Sequence, residues 1–84
     1  MAASMSPKER SAMIERMVSG LDQRLKENGG TEQEWQRLIR AYWVLGRHDQ
    51  ASAILVRAKQ QYKADAAATG RIDAFARSLG MNPS

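Results

Sequence analysis

The stretch WQRLIRAYWVLGRHDQASAILVRA, from Trp35 to Ala58, decides the fold. Trp35, Leu38 and Tyr42 recur at helical spacing, Gly46 interrupts the run, and Ala51, Leu55 and Ala58 resume the same period. A connection this short between two helices makes them antiparallel neighbours. Such helices approach closely only where small residues sit at the crossing. Ala51 and Ala58 are those residues, while Trp35, Leu38, Tyr42 and Leu55 supply the bulk beside them.

Working outward, Thr31-Glu32-Gln33-Glu34 has the form of a capping box and starts the helix that carries Trp35, Leu38, Ile39 and Tyr42 inward, with Gly46 as its left-handed terminator. After Arg47-His48 a further helix presents Ala51, Ile54, Leu55, Ala58 and Tyr62 on one stripe, with Asp49 near its positive end. Upstream, Ser6-Pro7-Lys8-Glu9 marks another helix start, and Ile14, Met17, Val18, Leu21 and Leu25 follow on one face until Asn28-Gly29-Gly30. Gly20 is a weak spot in that helix or a point of close packing. Downstream, Asp65 can cap a last helix holding Ile72, Phe75, Ala76 and Leu79, closed by Gly80 with Pro83 beyond. Residues 1–5 read as a disordered leader, 6–80 as a single helical domain and 81–84 as a tail.

The composition agrees with one small all-α domain. In 84 residues, 43% are hydrophobic and 26% charged, and Ala, Leu, Arg, Gln and Met outnumber β-branched residues. The absence of cysteine excludes a disulfide framework, a cysteine-ligated zinc site and thiol catalysis. No apolar run approaches the ~20 residues that span a bilayer, so the chain as given is expected to be soluble, with no direct membrane insertion. Met1-Ala2-Ala3-Ser4 has no signal-peptide core and reads as the start of a piece whose targeting segment is missing. Net charge is +4, but the basic residues are spread along every helix, which favours anionic partners only weakly.

A shift of 34 residues places Leu38 on Ile72, Tyr42 on Ala76, Leu45 on Leu79 and Gly46 on Gly80, and the reverse shift places Leu55 on Leu21 and Ala51 on Met17. The chain therefore reads as half a repeat, a whole one and another half. The spacing W-x2-L-x3-Y-x3-G-x4-A-x3-L-x2-A resembles the tetratricopeptide (TPR) signature. The expected fold is all-α: a TPR-like antiparallel helical hairpin flanked by one helix on each side, about four helices in all, as a fragment of a right-handed solenoid. The sequence departs from that signature at Ile39, where a glycine is usual, and at Gly29 and Lys63, where a proline is usual. Thr69 occupies the tryptophan slot of the last helix, which makes it a capping helix.

Few residues suggest chemistry. His48 stands beside the hairpin turn with no nucleophile or second ligand nearby and reads as a surface turn residue. Glu32, Glu34 and Asp49 sit at helix starts, where capping and the macrodipole account for them. No phosphate-binding glycine loop, serine triad or metal-ligand cluster is present, so no catalytic residue, metal or cofactor is expected and the chain reads as a binding protein rather than an enzyme. Lys59, Lys63, Arg71 and Arg77 are interrupted by Asp65 and Asp73, which disfavours nucleic acid as a partner. Met13, Met17 and Val18 read as core packing, with an adaptable contact surface as the other possibility.

In TPR arrays the first helix of each hairpin lines the concave groove. Carried onto the matching positions, that geometry selects Gln33, Gln36, Arg40, Trp43 and Val44, with Arg77 extending the groove as the register mate of Trp43. Trp43 has two readings of equal weight: a platform for an extended or helical peptide, or packing against the last helix.

The run Met13-Ile14-Glu15-Arg16-Met17-Val18-Ser19-Gly20-Leu21, then Arg24-Leu25-Lys26-Glu27-Asn28 and Trp35-x2-Leu38-x3-Tyr42-x2-Leu45-Gly46-Arg47, resembles the C-terminal TPR region of the CycH/CcmI-type cytochrome c biogenesis proteins of Gram-negative bacteria. The resemblance implies a periplasmic, soluble part of a membrane-anchored protein that holds apocytochrome c for haem ligation. The partner would be an apocytochrome polypeptide or a subunit of the haem-ligation complex. The alternative is a generic TPR assembly or oligomerisation element docking through the Met13/Met17 helix.

Overall fold

A computed structural model describes residues 6–82. The expected leader at 1–5 and residues 83–84, with the Pro83 stop signal, lie outside the described residues. Four helices follow one another: α1 (Pro7–Asn28), α2 (Glu32–Val44), α3 (His48–Gln61) and α4 (Ala66–Ser78). The all-α expectation is borne out, with a central α2/α3 hairpin and one helix on either side.

Each start is set by a side-chain cap or a short turn. Ser6 Oγ accepts from the Glu9 N–H at 3.1 Å, and Pro7 opens the first turn. Thr31 Oγ1 accepts from the Glu34 N–H at 3.2 Å while Glu34 Oε1 accepts from the Thr31 N–H at 3.0 Å, which completes the capping box. Asp65 Oδ1 accepts from the Ala68 N–H at 3.1 Å. α3 has no side-chain cap and begins at His48, one residue earlier than the sequence suggests.

The ends of α2 and α4 are the same device at the 34-residue shift. Gly46 and Gly80 have φ of +79° and +98°, conformations that L side chains rarely adopt. The Arg47 N–H donates to Tyr42 O at 2.9 Å and the Gly46 N–H to Trp43 O at 3.0 Å. Met81 N–H donates to Ala76 O at 3.0 Å and Gly80 N–H to Arg77 O at 3.0 Å. Both pairs satisfy carbonyls that a helix end leaves open. Met81, placed in the tail by the sequence reading, is itself buried in the core.

The core lies between α2 and its three neighbours. Trp35, Leu38, Ile39 and Tyr42 of α2 meet Ala51, Ile54, Leu55 and Ala58 of α3. Val18 and Leu25 close it from α1, and Ile72 and Ala76 close it from α4. Ala51 and Ala58 are fully buried, as a hairpin crossing built on small residues requires. Tyr62 is half-buried, and its hydroxyl donates to Gly30 O at 2.8 Å across the α1–α2 turn.

α1 departs from expectation. Only Val18 and Leu25 are buried; Leu21 is half-buried, Ile14 and Met13 are exposed, and Met17 is 68% exposed. The core role read for Met13 and Met17 is therefore wrong. Val18 and Leu25, a whole number of helical turns apart, face α2, whereas Met13, Ile14 and Met17 sit on the flank of the stripe where no helix covers them. Gly20 has no atom near the place a side chain would occupy, so it is not a close-packing point.

Candidate functional site

α2 touches each of the other three helices, so its surface divides by spacing into a buried seam, two flanks and one bare strip. Gln33, Arg40 and Val44 form the bare strip, and all three are exposed. Gln36 and Trp43 lie on the flank shared with Glu32, half-buried. That flank faces α4, because Arg71 of α4 holds Glu32 with two hydrogen bonds, Nε to Oε2 at 2.9 Å and a terminal nitrogen to Oε1 at 2.5 Å. The guanidinium beside Glu32 holds its carboxyl below the usual carboxylate range. Arg77 is exposed on α4.

Trp43 resolves between its two readings as a mixture. Its ring packs partly against the core, and its six-membered edge lies near Gly80 at the end of α4. It also stacks on His48, ring centroids 3.8 Å apart and planes inclined by 14°. His48 is therefore the neighbour that fixes the Trp43 ring, a role its position beside the turn did not disclose. A ring held in this way presents its remaining surface with little freedom left to lose on contact. Arg40 and Arg77 take part in none of the ion pairs among the described residues.

The opposite flank of α2 carries Arg37 and Ala41 and faces α1. With Ile14, Met17, Val18 and Leu21 these residues line a mainly apolar groove. The sequence reading offered Met13, Met17 and Val18 as a contact surface only as the alternative to core packing, and it did not place Arg37 and Ala41 beside them. Elsewhere along α1, Tyr42 donates to Asp22 Oδ2 at 2.5 Å, and Arg47 pairs with Glu15. Burial first, then the hydrogen bond and the Asp22 charge, push the Tyr42 phenol up to about 12.

Among the described residues no group of three or more His, Cys, Asp or Glu could hold a metal ion. Also among them, no helix is long and apolar enough to cross a membrane.

Comparison with known proteins supports the resemblance seen in the sequence. Over 78 residues the chain is 35% identical to the cytochrome c-type biogenesis protein CycH of Bradyrhizobium diazoefficiens, covering 93% of this chain and 21% of that protein. Over 81 residues it is 36% identical to the cytochrome c-type biogenesis protein CycH of Rhizobium meliloti, covering 96% of this chain and again 21% of the relative. The chain thus spans about a fifth of the length of the curated relatives it matches. No family model matches the chain. No solved structure matches it.

Proposed function

We propose that this chain is a polypeptide-holding module of cytochrome c biogenesis, a TPR-like scaffold that presents a client rather than transforming it. The observation that carries the reading is the similarity to two CycH proteins over nearly the whole chain. The geometry is compatible with it: a rigid hairpin displays an uncovered strip whose chemistry is cationic, amide and apolar.

In this reading Gln33, Arg40 and Val44 form the floor of the contact, Gln36 and the immobilised Trp43 form its wall, and Arg77 extends it along α4. Arg40 and Arg77 meet acidic side chains or a chain terminus, Trp43 and Val44 meet apolar ones, and the glutamine amides serve backbone groups. The client is apocytochrome c, or a subunit of the complex that attaches haem to it, in the periplasm. The fragment acts as the soluble part of a membrane-anchored protein and performs no covalent chemistry of its own. A chain without cysteine offers no thiol to a thiol-bearing client.

Calorimetric titration of the chain with a peptide from the C-terminal helix of an apocytochrome c tests this. Binding is expected, and Arg40→Glu, at an exposed position, should weaken it several-fold while leaving the circular dichroism unchanged. Trp43→Ala should weaken it as well. Parent-like binding by both variants would remove the strip from the contact, and failure of the parent to bind would remove the client.

The uncovered apolar flank of α1 favours the assembly alternative as a second contact.

A further inference from the structure

We infer that His48 makes the contact strip of α2 sensitive to pH. When its imidazole takes up a proton, a positive charge lies on the Trp43 ring and joins those of Arg40 and Arg77. The strip then grips acidic side chains more firmly as the pH falls from about 8 to about 5.5. The inference rests on the reading of the Gln33/Arg40 strip given above and adds its regulation.

The geometry is that of two rings in face contact. The centroids of His48 and Trp43 are 3.8 Å apart and the planes are inclined by only 14°. An indole face carries negative electrostatic potential, so a charged ring laid on it is attracted in a way that a neutral one is not. His48 is exposed at the first position of α3, where water delivers the proton without opening the fold. Trp43 has little room to turn away, because its six-membered edge lies near Gly80 and its ring packs partly against the core.

The sequence isolates this proton. His48 is the single histidine of the chain, and histidine is the side chain whose ordinary titration falls between pH 5 and 8. The charged groups on the elements that meet there are Arg47 and Asp49 on either side of it, Glu15 of α1, which pairs with Arg47, Arg40 of α2, and Arg77 in the last turn of α4. All are carboxylates and guanidinium groups, types whose ordinary ranges lie outside that window. Carboxylates on a client stay ionised across it for the same reason, so the change belongs to the strip.

Two effects of the proton act in one direction. The stronger ring contact leaves Trp43 less freedom to lose when a client arrives. The added charge stands on a surface where Arg40 and Arg77 take part in none of the ion pairs among the described residues. The positive end of α3 opposes the charge, and Asp49 in the same first turn offsets that opposition.

The probe is the apocytochrome c C-terminal peptide of the calorimetric titration above, acetylated and with any histidine replaced by glutamine. Binding to the parent chain should be about threefold tighter at pH 5.5 than at pH 8, the range of one exposed cation–π contact or ion pair. His48→Phe keeps a ring on the indole but cannot be charged, so its binding should not differ between the two pH values. His48→Arg lays a permanent charge on the same face and should bind at pH 8 as the parent does at pH 5.5. Without peptide, the tryptophan fluorescence of the parent should drop between pH 8 and pH 5.5, because an imidazolium in face contact quenches the excited indole. That drop should be absent in His48→Phe. Parent binding indifferent to pH, or a pH dependence or fluorescence drop that persists in His48→Phe, overturns the inference and leaves the strip standing. Absence of binding at both pH values removes the strip, and this inference with it, whatever the fluorescence does.

Discussion

The indole N–H of Trp35 donates to Gln61 Oε1 at 2.8 Å, tying the first core ring of α2 to the last residue of α3. The same oxygen accepts from the Gly30 N–H at 3.2 Å, and Gln61 Nε2 donates to Gly30 O at 2.8 Å. One amide therefore joins the α1–α2 turn, the start of α2 and the end of α3. Gln61→Leu should leave the indole N–H without an acceptor and cost about 1–3 kcal/mol. Urea unfolding followed by tryptophan fluorescence checks this, and a parent-like midpoint would mean that solvent replaces the amide without loss.

Tyr42 makes stability fall in alkali. Its folded-state pKa is raised to about 12 from an ordinary value near 10, so the neutral phenol is favoured by folding. The contribution is fully present below pH 10 and is lost as pH rises toward 12. Tyr42→Phe should flatten that limb of a stability profile relative to the parent. In the parent, a component of the tyrosinate absorbance should develop only as pH approaches 12, and Tyr42→Phe should remove it.

Gly20 lies inside α1 with nothing near the position of an added methyl group. Gly20→Ala should stabilise the chain by roughly 0.5–1 kcal/mol, through the lower backbone entropy of the unfolded state and the better helix propensity. Thermal unfolding by circular dichroism should show a higher midpoint. A lower one would reveal a contact at Gly20 that the four helices do not display.

Thr31 satisfies the Glu34 N–H at the start of α2, the helix every other one leans on. Thr31→Ala should cost about 1 kcal/mol, while Thr31→Ser should be close to neutral. Denaturant midpoints of the two variants give the comparison. Equal losses would assign the effect to the lost methyl group and not to the cap.

The hairpin was legible because its cues are local. The caps at Ser6, Thr31 and Asp65, the stops at Gly46 and Gly80, and the alternation of Trp35, Leu38 and Tyr42 with Ala51 and Ala58 each depend on neighbours a few residues away. The candidate contact strip was legible in part. Gln33, Arg40 and Val44 are exposed as their spacing implies, but the hold on Trp43 by His48 arises across a turn and leaves no mark in the period of either helix. The groove along α1 was hidden for a different reason. Met13, Ile14 and Met17 extend the same apolar stripe as Val18 and Leu25, and periodicity alone says that a stripe is apolar, not that something covers it.

The sequence by itself determined four helices, the capped starts of α1, α2 and α4, the glycine stops of α2 and α4, and the antiparallel return of α3 on α2, because hydrogen-bonding caps, glycine conformations and short connections act within a few residues. Only the tertiary structure decided which apolar surfaces are satisfied. Burial depends on how many neighbours reach a stripe, and in this fold α2 has one on three sides while the Met17 flank of α1 has none among the described residues.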